Sequence, residues 1–245
     1  MEDLHRRRNM RISMVIRTAI LMDSAALYRL MVWLSPSYPV GAFSYSHGLE
    51  WLVEIGAIHD HVSLAAWIAD LMVLGSGRND AILFAESWRV AQKPDELARI
   101  AELASAFAAS TERALESEMQ GDAFCEVTRR TWASPALDRL IAFYRHPICY
   151  PVAVGVTAAD HGIALAPALR AYCHAFAANL VSAGVRLVPL GHTDGQRVLQ
   201  ALESAVEEAA AIGETKDLSD LSSITIMADL AAMRHETQYT RLFRS

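Results

Sequence analysis

The chain has 245 residues, enough for a full hydrophobic core in one large domain or two small ones. Hydrophobic residues make up 53% and charged residues only 20%, with a mean hydropathy of +0.18, so the apolar excess goes into a deep core or a surface covered by other chains. A net charge of -6 argues against nucleic acid as the main partner, because phosphate binding needs a basic footprint, and no apolar run reaches the ~18 residues of a membrane span.

At the N-terminus, Arg6-Arg7-Arg8 ahead of Ile12–Met22 imitates a secretion signal, but Arg17 interrupts the apolar run and no small-residue cleavage site follows. Residues 1–22 therefore read as a disordered extension ahead of an all-α domain spanning 23–245. Cys125, Cys149 and Cys173 are odd in number and widely spaced, which is no disulfide framework and points to reducing cytosol.

Asp23 and Ser24 can cap a first helix carrying Leu27, Leu30, Met31 and Leu34, which Pro36 and Pro39 end. A second helix is expected over Phe43–Ile55. Asp60 can cap a third that runs to Leu74 and stops at Gly75-Ser76-Gly77, and Arg78–Ala91 follows. Pro94-Asp95-Glu96 opens another, with acids facing the helix dipole. Thr111–Trp132 reads as a long helix interrupted or bent at Gly121, and Ser134-Pro135 repeats the cap-then-proline start. The alanine-rich stretch from Pro151 to Ile212 fits close helix packing, with breaks expected at Gly162, Pro167, Gly184 and Pro189-Leu190-Gly191. A polar loop over Gly213–Ser222 leads to a last helix over Ser223–Tyr239. Val152–Val156 alone could be a strand, but a lone strand has nothing to pair with, so helix is the better reading there. The result is a single multi-helix domain of about ten helices.

Catalytic signatures are missing: there is no phosphate-binding glycine loop ending in Lys-Ser/Thr, no dinucleotide fingerprint, no zinc-protease helix and no nucleophile elbow. His59 and His61 point apart at the start of a helix. His146, Cys149, His161, Cys173 and His174 are the other candidate metal ligands, yet no second pair stands at the spacing a site of about four ligands needs. A metal-binding protein or metal-dependent enzyme built on His146, His161, Cys173 and His174 is the alternative function. Paired acids and amides at Glu50/Glu54, Glu116/Gln120 and Glu203/Glu207 read as solvated helix faces unless they are buried.

Two segments resist such ordinary readings. Tyr38–Glu50 packs aromatics, glycines and hydroxyls at the mouth of a helix, and Gly41 and Gly48 permit tight backbone there. The C-terminus carries Tyr239, Leu242 and Phe243 interleaved with Arg241 and Arg244. Chain ends are ordinarily polar, whereas these residue types are enriched at binding hot spots, so the terminus reads as a docking segment.

Both segments resemble the urease accessory protein UreF family. Tyr38-Pro39-Val40-Gly41-Ala42-Phe43 with Ser46-His47-Gly48-Leu49-Glu50 looks like the family's P-(I/V)-G-x-(F/Y)-x-x-S-x-G-L-E signature. Met233-Arg234-His235-Glu236-Thr237-Gln238-Tyr239-Thr240-Arg241-Leu242-Phe243-Arg244-Ser245 looks like its M-x-H-E-x-x-Y-(S/T)-R-L-F-x-S tail. Pro189–Gln196 resembles the P-L-G-Q-x-x-G-Q stretch, with His192 in place of glutamine, and Glu118–Gly121 is compatible with a mid-chain Q-G element. The likeness spans about residues 23–245 in the right order.

The resemblance implies an all-α homodimer that is not itself an enzyme. It also implies a cytoplasmic chaperone working with the scaffold UreD (also called UreH) and the GTPase UreG to deliver nickel to apo-urease. Nickel is then cargo, and no bound cofactor, nucleic acid or membrane is expected. The family's tail arginine maps to Arg241, and the aromatic thought to cooperate with it maps to Phe43, where some members carry tyrosine. Tyr45, His47, Glu50, His235, Glu236, Tyr239, Leu242 and Phe243 are placed on or beneath the same partner-binding surface. For Glu50, His235, Glu236 and Tyr239, capping or intra-dimer bonding is an equal alternative.

Overall fold

A computed structural model describes residues 23–108 and 110–244. The extension expected over residues 1–22 lies outside them. Every regular element among the described residues is helical, as the periodicity predicted.

The first elements are α1 (Ser24–Trp33), a 3-10 turn (Ala42–Ser44), α2 (Leu49–Glu54), α3 (His61–Leu74) and α4 (Ser76–Arg89). The chain continues through α5 (Pro94–Ala106), α6 (Thr111–Thr131), α7 (Pro135–Tyr144), α8 (Tyr150–Asp160) and α9 (Leu165–Leu187). It closes with α10 (His192–Ala201), α11 (Glu203–Thr215), a second 3-10 turn (Leu218–Asp220) and α12 (Ile226–His235). The cap residues act as predicted: Asp23, Asp60 and Ser134 each accept a hydrogen bond from a backbone amide of the first turn they precede.

The ambiguous Val152–Val156 stretch lies in α8, which is the centre of the fold. Val152, Ala153, Val154, Val156 and Ala158 are fully buried, and α4, α6, α7 and α9 surround the helix. A helix enclosed on all sides has no polar face, so its sequence carries no amphipathic period.

The boundaries differ where glycine serves packing and not termination. The interruption that residue order allowed at Gly121 does not occur, and α6 runs through it. A β-carbon there would lie 1.7 Å from the Ile148 carbonyl oxygen, so glycine lets the loop before α8 press on the helix. Gly184 likewise lies inside α9, beneath the Leu64 side chain, and Pro167 sits in the first turn of α9, where a missing N–H costs little. Gly75 alone separates α3 from α4. The last helix is shorter than expected and ends at His235.

Part of the apolar excess stays on the surface: Ile226, Met227, Leu230 and Met233 of α12 and Leu27, Tyr28 and Met31 of α1 are all exposed. No helix among the described residues is long and apolar enough to cross a membrane.

Replacing Gly121 by alanine should cost about 3 kcal/mol, because the backbone oxygen it would strike cannot move without shifting the loop before α8. A urea titration followed by circular dichroism checks this; an unchanged midpoint would mean the loop yields freely.

Candidate functional site

The helix expected over Phe43–Ile55 does not form as one piece. His47 and Gly48 take left-handed φ values of 56° and 76°, which break the run between the 3-10 turn and α2. Gly48 is needed twice over: a β-carbon on it would lie 2.7 Å from the Ala231 and Ala232 backbone, so α12 packs directly on the start of α2. That close approach brings the two sequence-predicted segments together.

Glu50 sits at the junction, buried in the first turn of α2. One oxygen accepts the Leu242 amide at 2.6 Å, and the other accepts the Phe243 amide at 2.9 Å. His235, fully buried, places Nε2 3.2 Å from Glu50 and Nδ1 2.9 Å from Glu112 of α6. An ionised carboxylate only accepts, so with both acids ionised both ring nitrogens donate, and the imidazolium form fits this bridge. Arg241 adds a bond to the second oxygen of Glu112 at 2.9 Å. Two acidic side chains thus meet one histidine and one arginine at the junction.

The tail beyond this knot lies as a strap on the body. The Arg244 amide donates to the Ser44 carbonyl at 2.8 Å. The Phe243 ring is buried with the Arg186 guanidinium 4.4 Å from its centre, and Arg186 also donates to the Phe43 carbonyl at 2.7 Å.

The predicted site residues therefore divide into two groups. Tyr45, His47, Glu50, His235 and Phe243 are buried, and Glu236 is half-buried. Phe43, Tyr239, Arg241 and Leu242 face solvent, with Tyr239 fully exposed. Phe43 meets the tail through its backbone, by way of Arg186, so a hydroxyl on its ring is not needed for that link. Glu112 and Arg186, the tail's partners on α6 and α9, carry no local motif. Both lie far from the tail in sequence.

A second polar cluster lies behind the first. His47 Nε2 stands 2.9 Å from Glu116 on α6, and Glu116 also pairs with Arg113 and accepts from Gln120 at 3.0 Å. The Glu116/Gln120 pair is thus buried and bonded, not a solvated face. Burial, seconded by Arg113, lowers the His47 pKa and keeps the ring neutral. Asp80 of α4 lies nearby and accepts the Tyr172 hydroxyl at 3.0 Å; burial raises its pKa from 3.8 to about 6.

The histidines and cysteine of the alternative metal reading are not brought together. His146 is exposed in the loop after α7, His161 caps α8 against the Trp132 carbonyl, and Cys173 is buried on α9 while His174 beside it is exposed. Burial raises the pKa of Cys125 and Cys173 to about 12 and of Cys149 to about 11, which keeps them thiols. Among the described residues no group of three or more His, Cys, Asp or Glu could hold a metal ion.

A family model described as UreF matches residues 58–203. The urease accessory protein UreF of Bradyrhizobium diazoefficiens is 53% identical over 225 residues, covering 91% of this chain and 93% of the relative. Its namesake in Rhodopseudomonas palustris is 52% identical over the same length, with the same coverage, and that of a Bradyrhizobium sp. is 50% identical over 226 residues, covering 91% and 94%.

Two outcomes are expected here. Replacing Glu50 by alanine strips three donors of their acceptor, which should cost about 3 kcal/mol at the junction and free the tail. Limited trypsinolysis should then cut after Arg241 several-fold faster, with helicity retained; an unchanged rate would mean that Phe243 packing alone holds the strap. Asp80 behaves in the opposite sense. Its raised pKa makes the folded state favour the protonated form, so stability falls as pH rises from 3.8 to about 6, and the full cost is present above that. Asp80→Asn should stabilise the protein by about 2 kcal/mol at pH 7 and by almost nothing at pH 4, as thermal melts at the two pH values would show.

Proposed function

This chain belongs to the UreF family of urease accessory proteins, and from that premise we propose that it is a non-enzymatic docking factor for urease maturation. In this reading it works in the cytosol as a homodimer. It holds the scaffold UreD/UreH and the GTPase UreG in one complex, from which nickel passes as cargo into apo-urease. The observation that carries the proposal is the strap: buried groups pin the tail in place, so that Phe43, Tyr239, Arg241 and Leu242 are presented outward on a fixed frame. Aromatic, leucine and arginine side chains carried on a pinned backbone lose less entropy on binding than they would on a frayed terminus. The exposed apolar faces of α1 and α12 support further contacts of the same kind, including the dimer.

Stimulation of GTP hydrolysis by Arg241 is a narrower version of this function. Its guanidinium is engaged by Glu112 at 2.9 Å, so it would have to leave that carboxylate to reach a phosphate. The geometry favours docking.

Tyr239→Ala combined with Leu242→Asp changes two exposed side chains and should leave stability within about 0.5 kcal/mol of the parent. The same variant, mixed with UreD and UreG, should lose at least about tenfold in complex affinity by analytical ultracentrifugation. Complexes of parental strength would remove the strap from the interface, and three separate species with the parent chain would sink the docking reading altogether. Substituting Arg241 alone and measuring GTP turnover at saturating complex separates docking from stimulation.

A further inference from the structure

We propose that the cavity beside His47 and Asp80 is a binding site for a small organic monocation carrying N–H donors, with a primary ammonium group as the model ligand. The cavity measures about 230 Å³ and lies between α6 and α9, with the start of α8 at its floor. It reaches the surface where Ser35, Pro36 and Phe43 form its rim. It is smaller than a site for drug-sized ligands, yet it far exceeds the space of a single water.

Three observations point to the ligand's chemistry. The first is His47, whose side chain is 6% exposed and lines the cavity. Its Nε2 faces the Glu116 carboxylate and therefore carries the ring proton, which leaves Nδ1 a bare lone pair. That nitrogen is buried and has no hydrogen-bond partner. It lies beneath the cavity wall, closed to water, so a ligand's donor reaches it only if the ring turns toward the cavity.

The second is charge. Arg113 and Glu116 form an ion pair on one wall and cancel, so Asp80 is the excess charge of the lining. Tyr172 donates to Asp80 Oδ2, while Oδ1 receives no hydrogen bond from the described residues. A cation with several N–H groups answers the open Asp80 oxygen, whereas an anion would meet Asp80 and Glu116 as like charges.

The third is the wall material. Tyr150, Tyr172 and Phe176 line the same space, and aromatic faces attract an organic cation while shielding it from water. A bare metal ion does not fit this lining, since no three ligating side chains converge among the described residues.

The full-length chain is titrated with n-propylammonium chloride at constant ionic strength and followed by calorimetry, with 1-propanol and sodium chloride as matched controls. Saturable binding with a dissociation constant in the ~1–10 mM range is expected for the ammonium alone. Asp80→Asn keeps the cavity's shape and should be the more stable protein at pH 7, yet it should bind at least about tenfold more weakly. Equal responses to propanol and propylammonium would reduce the site to an apolar hole. Unchanged binding in Asp80→Asn, or no saturation by ~100 mM, would also overturn the proposal. None of these results depends on UreD or UreG, so the outcome stands apart from that of the docking experiments.

Discussion

A carboxylate taken out of water needs a hydrogen-bond donor for each oxygen, and Glu50 organises this molecule because its donors come from the opposite end of the chain. Two consecutive tail amides and a fully buried histidine meet it, and they can do so only if α12 lies flat on the start of α2. Gly48 makes that contact possible by leaving the space where a side chain would collide with α12. Removing any of these parts leaves a buried polar group without an answer, so the junction is held by its own unsatisfied alternatives more than by net attraction.

The shape of the tail's surface follows from this constraint. Once the Leu242 and Phe243 amides are fixed, their side chains must diverge, one outward and one into the body. Phe243 is buried beneath Arg186, and Leu242 and Tyr239 are left outside. A single buried acid thereby turns what would be a frayed terminus into a shaped surface. The body beneath can support it because α8 is apolar on every side and ties α4, α6, α7 and α9 together.

The polar cluster of His47, Asp80, Arg113 and Glu116 has a different character. It is not arranged for greatest stability: His47 sits in left-handed backbone with a bare nitrogen, and Asp80 is held at a raised pKa. Groups kept in such states against the interest of folding are found where a ligand is met. The cluster lies behind the strap: Arg113 and Glu116 stand on the same α6 helix that supplies Glu112, and Phe43 borders its cavity.

Helix identity, most caps and the two signature segments could be read from residue order alone. Asp23, Asp60 and Ser134 act locally, within a turn of the amides they satisfy, and apolar spacing is a local property too. The roles of Gly121 and Gly184 could not be read that way: the same residue that ends a helix also admits a neighbour, and only the neighbour decides which. The same holds for Glu50 and Glu116, which look like solvated helix faces until α12 and the His47 turn close over them. Residue order marked the tail as apolar, aromatic and arginine-bearing, unlike an ordinary chain end. Tertiary structure decided which of its residues are pins and which are presented, because burial and hydrogen-bond partnership belong to pairs of residues far apart in the chain.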